Sequence, residues 1–190
     1  MVIIHTWLFP LMWLGYLAYW WATSTDVRAT DQKELAGSRI IRLAAILGAI
    51  ALLWLPAVPI PILRDRCLPP SDYWFWIGAG ITATGFAFGI WARHHLGSNW
   101  SQAVTIKQGH ELITSGPYRF VRHPIYSGLL AAFLGCAVAR GEWRGLVAVG
   151  LVFAVLWRKL KLEEQWLASH FGEQYENYAG RVSALLPHLL

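Results

Sequence analysis

Charge is what this sequence has least of. Only 14% of its 190 residues are Asp, Glu, Lys or Arg, against 56% hydrophobic. A soluble domain carries about a quarter charged residues, so the composition argues against an ordinary water-soluble fold. Cysteine is almost absent, and the two present, Cys67 and Cys136, offer no spacing for a disulfide framework, a zinc site or a redox pair. No block of Lys and Arg interleaves with aromatics outside the apolar runs, so the net charge of +5 does not imply a nucleic-acid partner. There is no GxSxG elbow around Ser98, Ser101, Ser115 or Ser127, no HExxH, and no GxGxxG following a strand. His94 and His95 are adjacent and would diverge by about 100° on a helix. A metal site is not expected.

What the chain does have is tryptophan, twelve of them, a residue that favours membrane interfaces, and long stretches without charge. Residues 2–25 carry no charge apart from a proton on His5, a length that crosses a hydrocarbon core of about 30 Å. The stretch begins without a basic segment and lacks a small-residue cleavage site, so it reads as a retained span rather than a secretory signal. A polar first loop is expected over 23–42, and a second span over 43–63, ended by Pro56, Pro59 and Pro61. Residues 74–92 form a third, with Gly85 and Gly89 as a small-xxx-small pair for close helix contact. Two shorter runs, 124–139 and 145–157, flank a polar turn at 141–144 and suggest a helical hairpin. The tail, 158–190, repeats Trp166, Leu167, Phe171, Tyr175 and Tyr178 at helical spacing, as an amphipathic helix would.

Twelve of the sixteen lysines and arginines fall in the first and third loops and the tail, and four in the other two loops. The positive-inside rule then puts the N-terminus outside and the C-terminus in the cytoplasm, with the central loop and the tail on one side.

That central stretch, KQGHELITSGPYRFVRHPIYSG over 107–128, gathers His110, Glu111, Tyr118, Arg119, Arg122, His123 and Tyr126. Gly109, Gly116, Pro117 and Pro124 prevent one continuous helix. Pro124 suits the first turn of the fourth run, and the free N–H groups of such a terminus suit an anion, with Arg122 and His123 beside it. The plainer alternative has Arg122 on lipid headgroups and His123 capping backbone. Glu163 and Glu164 stand at the end of the fifth run, a costly place for carboxylates. Lys159, four residues before Glu163, makes either a simple ion pair or part of a ligand site.

GPYRFVRHPIYSG at 116–128, the preceding GHELITSG at 109–116, and the tail with Glu163, Glu164, HFGEQYENY at 170–178 and RVSALLP at 181–187 resemble the isoprenylcysteine carboxyl methyltransferase family. The resemblance covers about half the chain, in the family's order. It implies an all-α integral membrane fold of about five transmembrane helices, the last two a short hairpin, with a cytoplasmic cofactor-capping loop and an amphipathic C-terminal helix. It also implies one membrane domain, with residues 1–96 as a three-helix membrane part and 97–190 as the cofactor-binding and catalytic part.

The methyl donor implied is S-adenosylmethionine, leaving S-adenosylhomocysteine. By position, the cofactor contacts would be Thr105, His110, Glu111, Leu112, Ile113, Tyr118, Arg122, His123, Pro124, Ile125, Tyr126 and Glu163. Lys159, with Arg158 beside it, stands where the family places a substrate-facing Arg, and Ser183 where it usually has Pro. Lys159, Arg158 and Glu163 are the expected catalytic residues, with Lys159 and Glu164 on the substrate. The acceptor implied is the carboxylate of a prenylated cysteine, presented by the lipid bilayer in the cell membrane. Methylation of a phospholipid amine and a non-catalytic membrane scaffold remain the alternatives.

Overall fold

The computed structural model describes residues 2–23, 36–55, 60–97 and 112–187. Its elements are α1 (Val2–Ala22), α2 (Ala36–Trp54), α3 (Asp72–Leu96), α4 (Pro124–Arg140), α5 (Trp143–Phe171) and α6 (Glu173–Ala179), with short 3-10 turns at Pro61–Arg64 and Gly116–Arg119. α1 to α5 alternate in direction, so the ends of α1, α3 and α5 meet the starts of α2 and α4 at one end of the bundle. Among the described residues, α2 and α3 are each long and apolar enough to cross a membrane, and α4 is a shorter apolar helix.

Three boundaries differ from expectation. The first loop is shorter, because α2 begins at Ala36 and carries Arg39 and Arg42 within its first two turns; long basic side chains at a helix end can reach the interface while their stems cover apolar surface. α2 also stops at Trp54 rather than near Leu63, as the proline at position 56 disfavours helix in the residue before it. The largest difference is in α5, which does not end at Trp157. It runs unbroken for 29 residues, about 43 Å, and the tail becomes the second half of this helix followed by the short α6.

The centre of the bundle is the seam between α3 and α4, where small residues let the two backbones nearly touch. A Cβ added at Gly85 would lie 2.5 Å from the Gly128 carbonyl oxygen, one at Gly78 would lie 2.3 Å from that of Gly135, and one at Gly135 would meet Thr82 Oγ1 at 2.3 Å. Gly89, the other half of the expected pair, faces the Tyr16 hydroxyl of α1. Thr82 donates to the Ala132 carbonyl at 3.2 Å, and Trp13 Nε1 of α1 donates to Cys136 Sγ at 3.4 Å. The Trp13 ring meets Phe86 and Phe133 edge-on, with centroids 4.9 and 5.0 Å away. α5 lays the stripe Ala148, Val152, Leu156 and Leu160, all buried, against α4 and α2.

The far end of the bundle is closed by Arg144, 3% exposed, rather than left to lipid. Its guanidinium donates to Glu142 at 2.5 Å and to the Leu55 carbonyl at 2.7 Å, joining the end of α2 to the α4–α5 turn.

Replacing Gly85 by Val should force the α3–α4 seam apart and lower stability by at least about 1–3 kcal/mol, the usual cost of overpacking. Gly80→Ala, on the same helix with nothing within 4 Å of the added carbon, should be neutral or slightly stabilising. Thermal unfolding of both variants in the same detergent checks the contrast.

Candidate functional site

The loop entering α4 is shaped by two left-handed or turn-forming residues. Gly116 has φ +59°, and a Cβ there would sit 2.7 Å from the His95 ring of α3, so only glycine fits the turn. His95 Nε2 lies 2.9 Å from Ser115 Oγ, fastening the loop to the end of α3. Pro117 and Tyr118 are buried in the following 3-10 turn, and Pro124 opens α4 as expected.

The tail is stitched over this loop. The backbone amides of Arg122 and His123 donate to Ser183 and Ala184 carbonyls at 2.8 and 3.0 Å, so these two are occupied by the chain itself rather than held for an anion. Ser127 Oγ donates to the Leu185 carbonyl at 2.6 Å, and the Tyr178 hydroxyl to the Tyr118 carbonyl at 2.6 Å. Arg122 spans the join: its Nη1 reaches the carbonyls of Ala179, at 3.0 Å, and Val182, while Nε and Nη2 grip Glu164 Oε1 at 2.8 and 2.5 Å.

Beside this staple lies a compact charged cluster. His123, 8% exposed, sits between both carboxylates, with Nδ1 3.5 Å from Glu163 Oε2 and Nε2 3.5 Å from Glu164 Oε1. The Tyr126 hydroxyl donates to Glu163 Oε1 at 2.5 Å. Lys159 Nζ is 3.6 Å from the same oxygen and 5.1 Å from the Tyr126 ring centre, so the i,i+4 pair expected from sequence is present. The His123 and Tyr126 rings lie nearly parallel, 2° apart in plane.

These groups sit past the apolar part of α5, and their titration follows from the geometry. Burial alone would lift both carboxylates. For Glu163, Lys159, His123 and Tyr126 outweigh it and hold the carboxyl below its usual range; for Glu164, His123 and Arg122 pull it down to about 2. Burial would depress His123, yet its two carboxylate neighbours raise it above an ordinary imidazole.

A cavity opens next to the cluster, walled by Leu96, Leu112, Ile113, Tyr118, Arg122, His123, Leu167, Tyr175 and Tyr178. Within it, His123 Nε2 and the Tyr175 hydroxyl are buried without a well-formed hydrogen bond. Burial holds the Tyr178 hydroxyl up at about 12 despite Arg122 nearby. Of the residues singled out from sequence, Leu112, Ile113, Tyr118, Arg122 and His123 line this cavity; Tyr126, Lys159, Glu163 and Glu164 form the adjoining cluster.

Pro124 is buried at the helix start, and Ile125 is half-buried against the main core. Thr105, His110 and Glu111 lie outside the described residues. Arg158 is exposed, one residue and about 100° around α5 from Lys159, so the structure brings only Lys159 to the carboxylates. Sequence reading had missed Leu96 entirely. It had placed Leu167, Tyr175 and Tyr178 on an amphipathic face without seeing that this face covers a cavity.

Residues 73–174 match the family model described as phospholipid methyltransferase. A probable protein-S-isoprenylcysteine O-methyltransferase of Oryza sativa subsp. indica is 34% identical over 137 residues, covering 67% of this chain and 70% of that protein. The protein-S-isoprenylcysteine O-methyltransferase of Schizosaccharomyces pombe is 35% identical over 97 residues, 48% of this chain and 40% of the yeast one. Among solved structures, a eukaryotic intramembrane Ras methyltransferase, an isoprenylcysteine carboxyl methyltransferase, superposes with a TM-score of 0.62 at 22% identity, over 77% of this chain and 52% of that one. An apolar helical bundle carrying a charged, tail-capped pocket at one end is thus that of an integral-membrane methyltransferase. The chain belongs to the isoprenylcysteine carboxyl methyltransferase family.

Removing Arg122 leaves Glu164 with its charge and without its fork. Arg122→Ala should cost about 3–5 kcal/mol, as for other broken buried pairs, and should expose the tail to limited proteolysis. The pH dependence has two signs. Because the Glu164 carboxyl is depressed when folded, its contribution is complete above about 4.5 and drains away as pH falls toward about 2. His123 is raised, so its contribution is complete below about 6.5 and is lost as pH rises through its folded value. Denaturant titrations across pH should show Glu164→Gln flattening the acid limb and also reducing the loss at high pH, because Glu164 helps to raise His123.

Proposed function

We propose that this protein transfers a methyl group from S-adenosylmethionine to the carboxylate of an isoprenylated cysteine, or a similar lipid-linked acid, at the cytoplasmic face of the cell membrane. The observation that carries this reading is the cluster itself: two carboxylates held ionised beside a lysine, at the polar end of an apolar bundle. The residues present fit the cofactor, since His123 Nε2 and the Tyr175 hydroxyl are buried donors or acceptors without good partners, in a cavity otherwise lined by leucines, an isoleucine and tyrosines. When bound, S-adenosylmethionine supplies an electrophilic methyl group on a sulfonium.

The chain's own residues then have separable tasks. Leu96, Leu112, Ile113 and the tyrosines exclude water from the apolar part of the cofactor. His123 and Arg122 offer hydrogen-bond donors to its carboxylate end, and Glu163 offers a negative partner to its cationic end. Lys159 provides positive charge next to the position of the acceptor. A carboxylate acceptor is already ionised at neutral pH and needs no base. Catalysis therefore rests on alignment and on stripping water from the nucleophile, of which positioning supplies about 7–11 kcal/mol in favourable cases.

The same electrostatics weigh against phospholipid amine methylation. An ammonium acceptor must first lose a proton to a base of matched pKa. Glu164 is held near 2 by His123 and Arg122, and Glu163 is held low by Lys159. Neither glutamate makes a strong acceptor of protons at neutral pH.

The inside-positive distribution of Lys and Arg supports a cytoplasmic site and five spans with the N-terminus outside. In this single membrane domain, residues 1–96 supply the three-helix membrane part and 97–190 the cofactor-binding and catalytic part, with Leu96 at the boundary.

Purified protein in lipid discs, given labelled S-adenosylmethionine, should transfer label to a farnesylated cysteine as a base-labile ester. It should leave phosphatidylethanolamine unlabelled. Base-stable label in the lipid fraction would overturn the acceptor, and Glu163→Gln should lower kcat/KM by about 10²–10³, the range for loss of one electrostatic partner in an active site.

A further inference from the structure

The outer side of α3 ends in an aromatic group that neither the cavity nor the carboxylate cluster uses. Tyr73, Trp76, Ile77, Gly80, Ala87 and Trp91 are exposed, and their spacing puts them on one face of the helix. Gly78 and Gly85, on the other side, meet α4. Tyr73 and Trp91 are eighteen residues apart, about 27 Å along the axis, close to the thickness of a hydrocarbon core. Beyond Trp91 the exposed positions turn polar, at His94 and His95. Indole rings favour the boundary between acyl chains and headgroups, so Trp91 marks that level on α3.

The loop before α4 reaches the same level. Phe120 is 45% exposed and Trp91 46%, and their ring centroids are 6.4 Å apart. The Phe88 ring lies 6.0 Å from Trp91 on its other side. The Arg119 guanidinium carbon stands 4.9 Å from the Phe120 ring centre. Arg119 and Phe120 are an exposed pair between buried neighbours, with Tyr118 at 8% and Val121 at 1%. The Phe120 amide donates to the Pro117 carbonyl at 3.1 Å, so the pair cannot turn inward without undoing the 3-10 turn. A phenylalanine held outward gains by leaving water for an apolar phase, and the apolar face of α3 leads directly to it.

The same turn carries a wall of the cavity. Tyr118 lines the cavity, and its carbonyl accepts from the Tyr178 hydroxyl of the tail at 2.6 Å. Arg122, two residues after Phe120, grips Glu164 and the Ala179 carbonyl. Whatever holds Phe120 in place therefore also holds the join between loop and tail.

We propose that Arg119 and Phe120 dock on the phospholipid interface and seat the loop that walls the cavity. Phe120 lies beside Trp91 at the acyl–headgroup boundary. Arg119 reaches past it to a headgroup phosphate, which its planar guanidinium matches with parallel N–H donors, while its stem covers the Phe120 ring. The occupant is the bilayer, because the patch continues the apolar face of a helix long enough to span one. Neither the cofactor nor the acceptor enters this assignment, so it stands or falls apart from the reaction proposed above.

The test uses the full chain in phosphatidylcholine discs, with 4-fluorophenylalanine at position 120 to keep the ring and its surroundings nearly native. A nitroxide lipid labelled near the headgroup should broaden the fluorine resonance at least threefold more than a water-soluble gadolinium chelate does. Stronger broadening by the chelate places the ring in water and overturns the docking. Protection from both agents means that protein, such as a second copy of this chain, covers the patch, and overturns it equally. Arg119→Gln should lower the ratio of the two broadenings at least twofold; an unchanged ratio overturns the phosphate contact.

Seating of the loop is read by hydrogen exchange at the Arg122 and His123 amides, which donate to the Ser183 and Ala184 carbonyls. In the same discs, Phe120→Asn should speed their exchange at least tenfold, and Phe120→Trp, which restores an interfacial ring, should stay within twofold of wild type. Should Phe120→Asn fail to fold, Phe120→Ala is read in the same way. Unchanged protection of these amides without the aromatic ring would overturn the seating.

Discussion

Two neighbouring carboxylates at the end of an apolar helix are the constraint to which the C-terminal half of this molecule answers. Glu163 and Glu164 point to different sides of α5, and neither is well exposed. Buried charge is expensive unless partners surround it, so each needs its own set. Glu164 takes Arg122 from the loop before α4; Glu163 takes Lys159 from its own helix and Tyr126 from α4; His123 stands between them. Satisfying this pair therefore fixes the loop, the start of α4 and the α5 register together. The tail is fixed by the same guanidinium, because Arg122 also gathers the carbonyls that end α6.

The glycine seam serves that arrangement from the other side. Because α3 and α4 approach until backbone meets backbone, the end of α3 comes directly under the loop, where His95 meets Ser115 and Gly116 and Leu96 reaches the cavity. A seam of larger residues would lift α4 and carry His123 and Tyr126 away from α5. Helix packing and site geometry are one problem here.

Much of this was legible from the sequence, for physical reasons. The uncharged runs located α1 to α4, proline at position 124 marked a helix start, and Gly85 marked a close contact. The i,i+4 spacing gave Lys159–Glu163. The unread parts depend on context. A charged amphipathic stretch following an apolar run has the same pattern whether it starts a new helix or continues the old one, which is why α5 was cut at Trp157. Lys159 and Arg158 are equivalent in sequence, and only the face of α5 separates them. Arg42, a loop charge by composition alone, lies half-buried in the second turn of α2, which starts at Ala36. Tyr175 and Tyr178 show periodicity, but periodicity cannot say that a face covers a cavity instead of lipid.

The unbroken length of α5 has a mechanical consequence. Glycine and proline are both absent from 151–171, so this stretch contains none of the residues that usually let a helix bend. Val152, in the apolar half, and Glu163, in the charged half, are eleven residues apart, about 16 Å along one rod. A tilt of roughly 10° over that lever arm would move the far end by about 3 Å, so the carboxylates follow any tilt of α5 as the end of one rod, without a hinge.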